Sequence, residues 1–165
     1  MARVKSISDD QVLSLVCDLQ SSGGTKAVSF GAVARATRLA PSTLVQRFGT
    51  VEAMRRAAVR QGWQALTEAT IAALAAVSDK GPQGLLKTLD AVAAPVPALL
   101  AAVGDEDSRA LAADWRKMVE AALALRLGQG DKARETASIL FAAWQGQMIW
   151  GGDSFRLKDA VKRLT

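Results

Sequence analysis

The chain has 165 residues, half of them apolar and 22% charged, with a mean hydropathy of +0.12; this excludes extended disorder and fits one globular unit or two small ones sharing a core. Abundant alanine, only four prolines and no tyrosine favour packed helices over sheet, so an all-α protein is expected. The formal charge is +5, and with no histidine and a single cysteine, Cys17, the usual metal ligands, any disulfide and Ser-His or Cys-His catalysis are missing, so no catalytic residue, metal or cofactor is expected.

Residues 1–10 are basic and then acidic without an apolar leader, and the longest apolar run, 91–103, is broken by Pro95 and Pro97; a cytoplasmic protein without a membrane partner is expected. Ser8-Asp9-Asp10-Gln11 reads as a capping box, and Val12, Leu13, Val16, Cys17 and Leu19 at helical spacing predict a first helix over 9–20. Cys17 sits on that apolar stripe and reads as a small buried hydrophobe. Residues 21–24, Ser-Ser-Gly-Gly, stop the helix, and Ser29 caps a short second helix carrying Phe30, Val33 and Ala34. Pro41 opens a third, in which Leu44 and Phe48 make one buried stripe, and Gly49 closes it. Thr50 caps a long fourth helix running to about Val77. Further helices are predicted over 83–94, 98–103, 108–127 and 131–149, with a last amphipathic one over 155–164.

Charge is unevenly spread along this series. Residues 1–62 carry nine basic side chains against four acidic ones, whereas the remainder carries twelve of each. From Lys26 to Arg60 only Glu52 opposes seven cations, the pattern of a phosphate-facing surface or of an ordinary solvated basic face.

Two short helices joined by a turn, braced by a preceding helix and set in the basic third, have the organisation of a helix-turn-helix DNA reader. The run from Ser29 to Met54, with Val33-Ala34, Leu39, Thr43-Leu44, Phe48 and Glu52-Ala53-Met54 in register, resembles the signature of the tetracycline-repressor-like (TetR) family. The resemblance implies a DNA-binding domain over 1–50 and a helical regulatory and dimerisation domain over 51–165. It also implies a homodimeric repressor reading a palindromic or near-palindromic double-stranded operator, with no enzymatic activity. Three positions depart from the family pattern: Arg38 replaces the usual turn glycine, Val45 the recognition-helix tyrosine, and Val51 a lysine. These changes leave open a rival, a dimer of the same descent that has lost operator binding and serves as a ligand- or protein-binding module.

With Leu44 and Phe48 turned inward, Pro41, Ser42, Thr43, Val45, Gln46 and Arg47 face the groove. Gln46 suits adenine, Arg47 guanine or phosphate, and Val45 a thymine methyl, while Lys26, Ser29 and Arg38 suit phosphates. In the second half the resemblance implies a small-molecule effector. Trp63, Leu66, Leu86, Leu89, Leu99, Leu111, Trp115, Met118 and Trp144 are candidates to line its cavity, with Arg116 or Gln145 as polar anchors, though each of the apolar residues also reads as plain core. Asp114 and Glu120 lie six apart, on different sides of one helix, which speaks against a catalytic carboxylate pair. The helix over 131–149 is apolar nearly all round, which calls for a second partner. Leu140, Ala142, Trp144, Gly146, Ile149 and Trp150, with Leu157 and Val161 of the last helix, are the expected dimer interface.

Overall fold

The computed structural model of the protein describes residues 7–77 and 80–151, together with Asp159 and Lys162. The fold is all-α: eight α-helices and a short 3-10 turn, with no strand among the described residues. These residues form two compact units, Met1–Ala65 with Ala98–Leu111, and Leu66–Pro97 with Ala112–Thr165. The predicted helix over 155–164, with Leu157 and Val161, lies outside the described residues.

The first unit is built on local signals. Helix α1 (Asp9–Gly23) starts at a complete capping box: the Gln11 backbone N–H donates to Ser8 Oγ at 3.3 Å and the Ser8 N–H to Gln11 Oε1 at 3.0 Å. It runs three residues further than the sequence predicts. The Ser22 hydroxyl bonds back to the Asp18 and Leu19 carbonyls, and Gly24, at φ 67°, closes the helix by donating to the Gln20 carbonyl. After the 3-10 turn Thr25–Ala27, helix α2 (Phe30–Thr37) is capped by Ser29, whose Oγ accepts the Ala32 N–H at 3.1 Å. Helix α3 (Pro41–Phe48) begins on its proline, as predicted. Val12, Val16, Val28, Val33, Leu44 and Met54 are buried together in a single core beneath the three helices.

Helix α4 (Val51–Ala76) is capped by Thr50, which accepts the Ala53 N–H at 3.0 Å. Its first part belongs to the first unit. There Gly62 lets the backbone come close to its neighbours: a Cβ would fall 2.6 Å from Leu99 Cδ2 and 3.5 Å from Cys17 Sγ. Helix α5 (Pro82–Asp90) ends four residues before the predicted limit. Ala94 precedes Pro95 and so disfavours helical backbone, and the chain turns instead, with the Val92 and Ala93 amides both donating to the Leu89 carbonyl. Helix α6 (Val96–Ala102), α7 (Glu106–Leu127) and α8 (Asp131–Trp150) fall within two residues of expectation.

In the second unit the core is aromatic. Phe141 packs edge to face against both Trp115 and Trp144, with ring centroids 5.8 Å apart in each pair. The Arg116 guanidinium lies 5.4 Å above the Phe141 ring. Two buried polar groups of this core are paired: Trp115 Nε1 donates to Thr70 Oγ1 at 2.9 Å, and that hydroxyl donates to the Leu66 carbonyl at 2.7 Å. Arg126 donates to the carbonyls of Val77, Lys80 and Ala122, satisfying acceptors where α4 ends. Among the described residues no helix is long and apolar enough to cross a membrane.

Candidate nucleic-acid interface

The turn between α2 and α3 consists of Arg38, Leu39 and Ala40. Arg38 adopts left-handed backbone, φ 59° and ψ 23°, and is the only non-glycine residue at positive φ among the described residues. The neighbouring geometry holds it there. Thr37 Oγ1 donates to the Val33 carbonyl at 2.7 Å and accepts the Leu39 N–H at 3.3 Å, while the Leu39 side chain packs against the core. A side chain in this region is disfavoured against glycine, so Arg38→Gly is expected to raise stability by about 0.5–1 kcal/mol while removing an exposed cation. Thermal unfolding measures the gain.

Helix α3 buries Leu44 and half-buries Phe48, Thr43 and Arg47, leaving Pro41, Ser42, Val45 and Gln46 exposed on one side. Val45 is 46% exposed, an apolar residue in water on an otherwise polar face. Lys26 on the 3-10 turn, the capping Ser29, and Arg35, Arg38 and Arg56 are exposed as well. Ser29 spends one acceptor site on the Ala32 amide and keeps its hydroxyl hydrogen for donation.

Arg47 is placed differently from the rest of the predicted reading set. Its Nη1 donates to the Ile7 carbonyl at 2.9 Å and to Asp9 Oδ1 at 3.2 Å, tying the last turn of α3 to the first turn of α1. Two other cations of the basic run are also engaged inside the unit. Arg55 donates to the Val28 carbonyl at 2.5 Å, and Arg60 pairs with Asp105 at 3.7 Å and Asp107 at 4.0 Å. Glu52 is therefore not the sole counter-charge, as the linear sequence suggested, because the acids that answer Arg47 and Arg60 come from distant parts of the chain.

Asp105 has a second role. Its Oδ1 accepts the Ser108 N–H at 2.7 Å at the start of α7, and this bond, with Arg60 and Arg56 nearby, holds its carboxyl below the ordinary value of 3.8. A depressed carboxyl contributes stability above its unfolded pKa and loses it as pH falls through the folded one. The stability difference between the wild-type chain and Asp105→Ala should thus be full at neutral pH and shrink below about pH 4, as read by denaturant titrations at several pH values. The Cys17 thiol moves the other way. Burial first, and then the neighbouring Asp18, push it up to about 11, and its Sγ donates to the Ala58 carbonyl at 3.1 Å, so it stays a protonated, packed group at neutral pH.

Of the predicted cavity residues, Trp63, Leu66, Leu89 and Trp115 are buried and Leu111 and Met118 half-buried, and they are distributed over both units. Within the second unit a cavity of about 260 Å³ opens, lined by Asp90, Ala93, Ala94, Trp144, Gln147 and Met148. Of the predicted lining residues, Trp144 belongs to it. Asp114 and Glu120, the carboxylates six apart on α7, are bonded separately, to Lys117 and to Arg116 with Ser138. On α8, Leu140 and Trp144 spend their surface on their own unit's core, whereas Ala142, Ile149 and Trp150 are exposed and Gly146 is half-exposed. Ile139, 46% exposed, lies beside them and was not among the predicted interface residues.

No protein-family model and no curated protein matches the chain. Among solved structures, its fold is similar to the crystal structure of the TetR family transcriptional regulator PfmR from Thermus thermophilus. The two share 18% identity over 96% of this chain and 94% of that one, with a TM-score of 0.61. The all-α architecture is thus that of a TetR-like fold.

Proposed function

We propose that the protein is a DNA-binding transcriptional regulator, a repressor, which acts in the cytoplasm as a homodimer on a palindromic or near-palindromic operator. The observation that carries this reading is the α2–turn–α3 unit, whose outer helix leaves Pro41, Ser42, Val45 and Gln46 in water next to exposed Lys26, Arg35, Arg38 and Arg56. In the complex Gln46 reads adenine, Val45 meets a thymine methyl, and Thr43 contacts a base edge or a phosphate. Lys26, Ser29 and Arg38 hold phosphates and so fix the register without reading sequence. Arg47, whose Nη1 is bonded to Ile7 and Asp9, contacts a guanine or a phosphate. A dimer presents two such helices roughly 34 Å apart, one helical turn of DNA.

Residues 1–50 form the reading domain in this account, and 51–165 the regulatory and dimerising one, which takes a small-molecule effector. Helix α8 supports dimerisation through its exposed stripe of Ile139, Ala142, Gly146, Ile149 and Trp150. Selection of bound fragments from genomic DNA, followed by a salt titration on the recovered site, tests the proposal. Recovery of an inverted repeat whose log affinity falls steeply with log salt supports it; failure to retain any duplex in dilute buffer overturns it.

A further inference from the structure

The cavity of the second unit has a consistent electrostatic character. Asp90 is the last residue of α5, and Trp144, Gln147 and Met148 lie in the final two turns of α8. The end of α5 contributes a fractional negative charge, reduced where the Thr88 and Leu89 carbonyls accept the amides of the following turn, and the Asp90 carboxylate adds a full one. Asp90 is exposed, so water screens the mild opposition of the helix dipole to its carboxylate and leaves the charge available to a ligand. Among the described residues Asp90 has no ion-pair partner. It is nonetheless held in place: Trp144 Nε1, in a side chain almost fully buried, donates to Asp90 Oδ1 at 2.6 Å.

The remaining walls are small or apolar. Ala93 and Ala94 stand in the turn fixed by Pro95, and Met148 with the Trp144 indole closes the other side. At about 260 Å³ the space is smaller than the roughly 300–1,000 Å³ of sites for drug-sized ligands. We propose that this cleft is a binding site for a compact organic ammonium, with the charged nitrogen against Asp90 and the hydrocarbon body against Ala93, Ala94 and Met148. An anion would be repelled by the carboxylate, and a neutral molecule would gain no charge pairing with it.

The test uses the full chain without DNA, so its outcome is separate from that of operator binding. Benzylamine, cationic at pH 7, is compared with benzyl alcohol and benzoate by following the tryptophan indole N–H resonances. The expected result is that benzylamine shifts the Trp144 resonance with at least about tenfold higher affinity than benzyl alcohol, a difference of about 1.4 kcal/mol, and that benzoate leaves it unmoved. Asp90→Asn keeps an oxygen that accepts the Trp144 N–H and should reduce benzylamine to the level of benzyl alcohol. Ala94→Leu, at an exposed position, fills the space and should weaken both, and it decides the matter where Asp90→Asn does not fold. Equal binding of the three compounds, unchanged benzylamine binding in the variants, or no shift of the Trp144 resonance at about 10 mM overturns the assignment.

Discussion

Gln46→Ala is expected to lower affinity for the operator about 5- to 150-fold while leaving binding to mixed-sequence DNA and its salt slope unchanged, because one bidentate pair with a base is worth about 1–3 kcal/mol. Gln46 is exposed on α3 between buried Leu44 and half-buried Phe48, so its truncation leaves the hydrophobic core untouched. Lys26→Ala should behave in the opposite way, weakening all duplexes alike and reducing the salt slope by about 0.9. Arg47→Ala belongs to neither class. Losing the bonds to Ile7 and Asp9 should cost about 1 kcal/mol of stability, a modest figure because Asp9 is largely exposed. Comparison with Asp9→Ala separates the roles of this pair. If Arg47 is held away from DNA by its carboxylate, Asp9→Ala binds duplex more tightly than the wild-type chain; if the pair only braces α1 against α3, both variants lose stability and Asp9→Ala gains no affinity. Gel-shift titrations at two salt concentrations, with parallel thermal melts, give all four results.

What could be read in the sequence divides according to the range of the interaction. The starts of α1, α2, α3 and α4 follow from Ser8, Ser29, Pro41 and Thr50, each acting within three or four residues, and all four stand where the local rules put them. That Arg38 stands where glycine is usual was legible from the resemblance, and its left-handed backbone is what the structure adds. The partners of Arg47 and Arg60 were not. Asp9 lies 38 residues before Arg47, and Asp105 lies far beyond Arg60, so only the tertiary fold brings them together. Asp9 in a first turn already has a sufficient local explanation in the helix dipole. The Asp90 cleft escaped for a related reason: alanines in a turn carry no periodic signal, and a single acid at a helix end is an ordinary feature until a buried tryptophan is found bonded to it. For α8, composition revealed two apolar faces without telling which side chains were already spent on the chain's own core.

That division of α8 gives the second large effect. Phe141 is completely buried and meets Trp115, Trp144 and Arg116, so Phe141→Ala should cost about 3–5 kcal/mol and lower the midpoint of thermal unfolding by about 10 °C or more. A loss of this size is a large share of the roughly 5–15 kcal/mol that holds an ordinary domain together. Two residues earlier the helix has turned about 200°, and Ile139 points to water, so Ile139→Asp should leave the packing of the unit intact. Gly146, on the same exposed stripe, has nothing within 4 Å of where a Cβ would stand. A single chain therefore accepts Gly146→Leu without a clash, and the better helix former should stabilise it by up to about 1 kcal/mol. A dimer packed through Ala142 and Gly146 has no such room, because close approach of two helices depends on the missing side chain. Ile139→Asp and Gly146→Leu should thus turn a dimer into a folded monomer at micromolar concentration, whereas Phe141→Ala lowers stability through the interior. Analytical ultracentrifugation with circular dichroism distinguishes the two. A wild-type chain that sediments as a monomer would overturn the homodimer itself, and a Gly146→Leu chain that remains dimeric would place the association surface somewhere other than this stripe.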